Sequence, residues 1–425
     1  MYDHWLTLGG VELVNSTRAA QYAGALGITV VRCAGCRDIT RALRDAPYTL
    51  PGDPDNPAPW YDPSLPESAG FAGLVGVEFE GLSRGTGGRQ TVPLLGAGSA
   101  IGGLRRGARE VLVKALMLAT TDAAMSYGTA WLASALRGSI CQTSCVADEL
   151  CVFAYCPSCA SPPPDPPAYD SCGDAALRTV LDTGLLAGPT PTRTLTVGGG
   201  VLTEVEFSLV CGQPFLWRQP RYVTGTGQPG VSPAPPIGPG EGCVESIDCA
   251  HDPLCLPLPP PIRPPAPPNP CFPGPPPVGD TRRTIVTVPP GLLPQWFENV
   301  PILEIRTGSL ALRRVTIRFY SNPALYECAE YVDPCTACAE INIPYLPRGV
   351  VFRLDGRLER ATVDCPGGPG LDVADVEVFG PGGGLFEWPI FECNTSLCIE
   401  VVVQQSTAAP DSRIDLWMAA REDAA

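Results

Sequence analysis

Cysteine is the residue type here most able to do chemistry. Nineteen occur in 425 residues. They cluster as Cys33/Cys36, Cys141/Cys145/Cys151/Cys156/Cys159/Cys172, Cys335/Cys338 and Cys393/Cys398, with Cys243, Cys249, Cys255 and Cys271 spread through a proline-rich stretch. A Cys-x-x-Cys turn brings two sulfurs within reach of one ion, so these pairs suit tetrahedral zinc. The 141–159 group alone carries enough thiolates for a four-sulfur site. The competing chemistry is disulfide formation in an oxidising medium. Both remain open on spacing, with structural zinc the one cofactor to consider. The odd count leaves at least one sulfur free, on a metal or paired with another chain. Thioredoxin-like redox chemistry is disfavoured, because no pair precedes a helix in a βαβ pattern.

Other catalytic constellations are sparse. His4 and His251 are the only histidines, which argues against a His-based triad or a His-rich metal site. His4 reads as a surface or interface residue. His251, between Cys249 and Cys255, is a weak metal candidate. The run Gly96-Ala-Gly98-Ser-Ala-Ile-Gly102-Gly103 is followed by a strand rather than a helix, so it reads as a flexible turn and not a dinucleotide fingerprint. The acidic pairs Asp53/Asp55, Asp148/Glu149 and Glu327/Glu330 read as solvated loop charges rather than calcium or acid–base sites. Trp388, Trp417 and Tyr345 offer rings that could stack on sugars, although such rings more often serve a core. No enzyme class is supported.

The net charge is −15, and Lys114 is the only lysine. Such acidity argues against sequence-independent nucleic-acid binding, which needs cationic surface. No apolar run is long enough to span a membrane, so no membrane insertion is expected. The N-terminal MYDHWLTLGG lacks the basic and apolar regions of an export signal, which implies synthesis in a reducing cytosol.

Three regions position these residues. Residues 1–220 read as an antiparallel sheet with one packed helix. Strands are expected at Val11–Val14, Gly27–Arg32, 71–80, 108–118, 176–186, 192–197 and 201–210. The helix follows Thr121 or Asp122, buries Met125, Gly128, Leu132 and their neighbours, and stops at Gly138. Within this region 47–70 is a proline-rich arm whose Tyr48, Trp60 and Tyr61 could anchor it to a surface, including that of a neighbouring chain. Residues 141–172 form a cysteine-dense insertion. Residues 221–280 read as a semi-rigid proline-rich linker. Residues 281–425 read as all β, with short strands near 315–319, 340–343, 350–354, 374–379, 398–403 and 412–418, the pattern of a sandwich or jelly roll.

Several extended phrases carry a family resemblance. They are PYTLPGDPDNPAPWYDPSLPESAGFAGL, REVLVKALMLATTDAAMSYGTAWLASALRGSIC, ADELCVFAYCPSC, LTEVEFSLVCGQPFLW, VPILEIRTGSLALRRVTIRFYSNP, DPCTACAEINIPYLPRGVVFRLDG and FEWPIFEC. Together they cover most of the chain outside the proline-rich middle. The chain resembles minor tail proteins of long-tailed, siphovirus-type phages of actinobacterial-type hosts, and within them the distal tail protein class. The resemblance implies a mainly β fold with an N-terminal split β-barrel and one packed helix, akin to tail-tube subunits, and a C-terminal galectin-like or jelly-roll β-sandwich. It implies a homo-oligomer, a hexameric ring between the tail tube protein and the hub, with the tape measure and other tip proteins as neighbours. The arm would be an inter-subunit belt, and an acidic lumen would let DNA slide without specific binding. Such a virion protein would assemble in the host cytosol and be freed by lysis, which accounts for cysteines without an export signal. The alternative is a cell-wall carbohydrate-binding adhesion module using Trp388 or Trp417.

Overall fold

The computed structural model describes residues 1–28, 36–138, 147–159, 173–224, 281–288, 296–322, 328, 336–364, 371–373, 378–380, 384–391, 396–404 and 411–424. The chain divides into two compact units, 1–219 with 421–425, and 220–420. Among the described residues the fold is mainly β, with three short α-helices.

The first unit begins with the antiparallel pair β1 (Tyr2–Leu8) and β2 (Val11–Asn15). Asn15 then caps α1 (Ser16–Ala25), its side-chain oxygen accepting from the Arg18 amide at 3.0 Å. A five-residue helix, α2 (Ile39–Leu43), precedes the arm. Next come β3 (Phe71–Glu80), β4 (Gly87–Pro93), β5 (Ser99–Arg106) and β6 (Arg109–Ala119). α3 (Asp122–Ala135) is where the sequence places it. Thr121 accepts from the Ala124 amide at 3.2 Å, and Gly138 leaves the helix at φ +76°. The unit finishes with β7 (Asp148–Phe153), β8 (Leu177–Val197), β9 (Gly200–Cys211) and β10 (Leu216–Trp217).

Two ladders organise these strands. β3, β6, β9 and β8 are antiparallel neighbours in that order, and the first half of β8 continues through β7 and β1 to β2. Inward residues of β6 and β9, such as Val111, Val113, Met117, Val205, Phe207 and Leu209, meet α1 and α3 in one core. Gly128 lies so close to Phe71 that a methyl there would overlap the ring, so the helix settles directly on β3.

Three expectations change. α1 exists, so the unit packs more than one helix. The segments 176–186 and 192–197 are one strand, β8, running through Gly188, Pro189 and Pro191. The arm's aromatics serve this chain's own core: Tyr48 and Trp60 are buried, and Trp60 packs edge-on against Tyr22, Phe71 and Trp131. Trp60 donates to the Phe71 carbonyl at 2.9 Å, and Tyr127 donates to that of Trp60 at 2.6 Å.

The second unit holds β11 (Arg221–Thr224), β12 (Thr281–Val288), β13 (Glu298–Arg306), β14 (Leu312–Asn322), β15 (Ala339–Leu346), β16 (Val351–Asp355), β17 (Arg360–Asp364), β18 (Leu371–Val373) and β19 (Ser396–Gln404). β20 (Arg413–Glu422) follows, its last two residues lying in the first unit. One sheet runs β12–β19–β14–β15, and another runs β18–β17–β16–β13–β20 with β11 also on β20. Inward side chains including Val315, Ile317, Phe319, Ile399, Phe352 and Leu416 share one core. This matches the alternation read at 315–319. Of the strand expected at 374–379, only Val378 and Phe379 are described, and Phe379 makes an isolated bridge to Asn342.

Candidate interaction surface

Two cysteine pairs among the described residues join positions far apart in the sequence. Cys36 is bonded to Cys156, 120 residues away, with a Cα–Cα distance of 5.7 Å. Cys328 is bonded to Cys398, 70 residues away, at 5.4 Å. Cys159 is also in a disulfide. Cys151 and Cys338 are free thiols, the first half-buried and the second exposed. Cys33, Cys141, Cys145, Cys172, Cys335, Cys393, the four linker cysteines and His251 lie outside the described residues, as does linker 225–280. Cys328 had attracted no notice in the sequence, and neither had Cys211, a free thiol whose pKa burial pushes up. Among the described residues no group of three or more His, Cys, Asp or Glu side chains could hold a metal ion. His4 is half-buried, its Nδ1 lying 3.1 Å from Ser16 Oγ and from the Gly76 carbonyl.

The two tryptophans considered for sugar stacking are both engaged. Trp388 packs edge-on with Phe386 at 4.7 Å against the second unit's core. Trp417 packs against Tyr222 at 5.2 Å. Tyr345 is 44 % exposed, with Arg313 over its ring.

The distinctive surface is in the first unit and has three parts. The first is the outward face of β3, β6 and β9. Alternation sends Glu78, Glu80, Glu110, Glu204 and Glu206 outward, while Val111, Val113, Val205 and Phe207 point in. Lys114 is placed among them and binds Glu78 at 2.9 Å and Glu80 at 2.6 Å. These two contacts raise the pKa of Lys114 and help hold Glu80 below the ordinary carboxylate range.

The second part is the outer half of β8. Residues 184–197 pair only with β9 among the described residues, because β7 stops at Thr183. Among the described residues no strand pairs with the other edge of that half. Pro189 and Pro191 remove two donors from it, a common way of restricting what an edge can pair with.

The third part is the hairpin β4–β5. It is a separate two-stranded sheet, and all but one of its strand residues are exposed. Val92, Leu94, Leu95, Ile101 and Leu104 are all exposed, Leu95 completely. The expected flexible turn at 96–103 is in fact the tip and second strand of this hairpin: the turn closes with Leu94 N donating to the Gly98 carbonyl at 3.1 Å, and Gly102 and Gly103 lie in β5.

The hairpin root is fixed by buried charge. Arg109 is only 1 % exposed, and it donates to the carbonyls of Pro214, Gly81, Leu82, Arg84 and Asp423. No carboxylate shares this guanidinium's hydrogen bonds, so burial pushes its pKa down. Arg106, the last residue of β5, pairs with Asp423 at 3.0 Å. Glu422 is buried and binds Arg178 at 3.1 Å and also Arg218. Arg421 sits 4.0 Å over the Phe215 ring. The segment 421–423 thereby completes the first unit, pairing with Leu216 and Trp217.

No family model matches the sequence, and no curated protein sequence matches it. Solved structures with some likeness come from phage tails. The chain is similar to the SPP1 Dit protein, described as a paradigm of the hub adsorption apparatus in phages infecting Gram-positive bacteria. Identity is 10 % and TM-score 0.39, over 84 % of this chain and 95 % of that one. It is also similar to a chain of the phage p2 baseplate in its activated conformation with strontium, at 9 % identity and TM-score 0.38, over 83 % and 92 %. The calcium form gives the same values.

Proposed function

We propose that this chain is a structural subunit of a phage tail tip, of the distal tail class, whose first unit closes a ring with other copies of itself. The observation that carries this is the outer half of β8, at the end of the sheet β3–β6–β9–β8, whose far edge pairs with no strand among the described residues. An edge of this length is a template for another strand, and ring closure is a symmetric way to satisfy it in every copy. The extended sequence phrases that resemble distal tail proteins support the same function. The five outward glutamates of that sheet would line the lumen, where like charge keeps passing DNA from sticking. The second unit would meet the neighbouring proteins of the tip. The tail tube protein, the hub and the tape measure are the partners this function requires, and the location is the virion tail after assembly in the host cytosol and release by lysis.

Electron microscopy of the purified protein and of tail particles tests this. A closed oligomer of about six subunits is expected. A protein that is absent from tail tips, or that hydrolyses cell wall, overturns it. Carbohydrate adhesion has less support, because the Trp388 and Trp417 rings are already packed against Phe386 and Tyr222.

A further inference from the structure

The hairpin β4–β5 is an unusual structure to leave bare. A two-stranded hairpin is marginally stable alone in water. This one exposes apolar side chains along both strands and at its tip, where Leu94 and Leu95 are adjacent. An exposed apolar patch of this kind marks a contact surface.

Its charge says what kind. Residues 81–108 contain Arg84, Arg89, Arg105 and Arg106 and no acidic residue, in a chain of net charge −15. Arg106 is tied to Asp423 and Arg84 acts on Glu80, whereas Arg89 and Arg105 are exposed and make no ion pair among the described residues. The partner surface must be acidic, with apolar patches of its own.

Such a surface exists on the same unit. The arm 47–70 carries Asp53, Asp55, Asp62 and Glu67 and no lysine, arginine or histidine. None of the four has an ion-pair partner among the described residues. Asp53 accepts from Thr49 and the Asp55 amide, and Asp62 accepts from Ser64, so their hydrogen bonds come from the arm itself. Leu50 and Leu65 are exposed beside them, 48 % and 43 %. The arm is also preformed: Trp60 and Tyr48 are locked into the core, and Asn56 donates to the Ala46 carbonyl at 2.9 Å. A rigid acceptor loses little entropy when it is covered. Among the described residues no hydrogen bond or ion pair joins arm to hairpin within one chain.

We infer that the basic, apolar hairpin of one copy docks on the acidic arm of the next copy. The two surfaces differ, so the contact is heterologous, and repeating it generates either a closed ring or an open chain. The inference deepens the ring proposed above by naming the surfaces that meet outside the sheet edge. It also gives the arm a belt role on its exposed side, while its aromatics remain in their own core.

The test uses the full chain and reads self-association by sedimentation and microscopy. Arg89→Glu with Arg105→Glu is expected to weaken association on the order of 100-fold, because like charges then face each other. Adding Asp55→Arg and Glu67→Arg in the same chain restores it. Mixing the hairpin-reversed chain with a chain reversed only at the arm restores association that neither shows alone, because in alternating copies the reversed hairpin meets the reversed arm and the unaltered hairpin meets the unaltered arm. Leu95→Ser weakens association without any change of charge, and circular dichroism confirms that each variant is folded. Association of the reversed hairpin variant at wild-type strength overturns the docking and leaves ring closure through the sheet edge standing. Wild-type chains that stay monomeric at the highest soluble concentration also overturn the docking. Open chains instead of rings support the docking and count against ring closure.

Discussion

Both units bury ion pairs, such as Arg178 with Glu422 in the first, but the first also buries a cation that no carboxylate meets. In the first, Arg109 is held by backbone carbonyls alone, from the loop after β3, the loop after β9 and Asp423. In the second, charges alternate across strands: Arg283 to Glu400 at 2.8 Å, Glu400 to Arg318 at 3.3 Å, and Arg318 to Glu340 at 2.7 Å. Tyr320 also donates to Glu400 at 2.8 Å, and the Cys328–Cys398 bond lies on the same sheet. On this sheet of the second unit the charges are met strand to neighbouring strand. The first unit uses one cation to gather loops around the hairpin root and leaves the hairpin, the β8 edge and five glutamates outward.

The largest expected effect falls on that single cation. Arg109→Met leaves five carbonyls without their donor and is expected to cost the first unit about 3 kcal/mol or more, since each stranded buried group costs about 1–3 kcal/mol. Chemical denaturation followed by hydrogen exchange would show the loss concentrated at 81–109 and 421–424. Glu400→Gln should cost the second unit about 2–4 kcal/mol, because Arg283 and Arg318 then face each other without the charge between them. Equal loss in both units from either variant would break the comparison.

Thr121→Ala removes the α3 cap and should cost about 1 kcal/mol, read as a lower melting temperature. Acid sharpens the comparison by sign. Burial raises the carboxyls of Glu12 and Asp3 in the first unit, against the pull of Arg18 on Glu12. Their contribution is fully present below the ordinary carboxylate value and is lost as pH rises through the raised one. In the second unit, burial would raise Asp355 and Glu340, but Arg357 and Arg353 on the former and Arg318 on the latter hold them low. Their contribution is present above the ordinary value and is lost as pH falls through the depressed one. Acidification towards about pH 4 should therefore strengthen protection around β1 and β2 of the first unit, where Asp3 and Glu12 stand, and further acid should weaken the second unit around Glu340 and Asp355. Hydrogen exchange resolved by unit against pH measures this, and parallel loss in both would contradict it. The smallest effect on folding is at Leu95→Ser, which should change stability by no more than about 0.5 kcal/mol.

What was legible in the sequence follows from how strongly local chemistry fixes each element. α3 has a threonine cap, an apolar face and a glycine stop, and all three act where they stand. β9 and β14 alternate cleanly because each has one face in a core. α1 was not legible: its STRAAQYAGA run has a weak apolar pattern, and only its Asn15 cap signals it. β8 looked like two strands because Gly188, Pro189 and Pro191 break strand patterns, yet an open edge tolerates them. The hairpin β4–β5 lacks alternation because neither of its faces meets this chain's core. The cysteine partners of Cys36 and Cys398 depend on tertiary approach over 120 and 70 residues, which no local spacing encodes.

The pairing of residues 421–423 with Leu216, Trp217, Arg106 and Arg109 has a consequence for synthesis. The first unit lacks its last strand segment until the ribosome has added roughly 200 further residues, which at about 5–20 residues per second takes about 10–40 s. Through that interval Arg106 and Arg109 have no Asp423 to bind, and the hairpin root is not yet fixed. A nascent chain therefore cannot present a finished first unit before residues 220–420 have been synthesised.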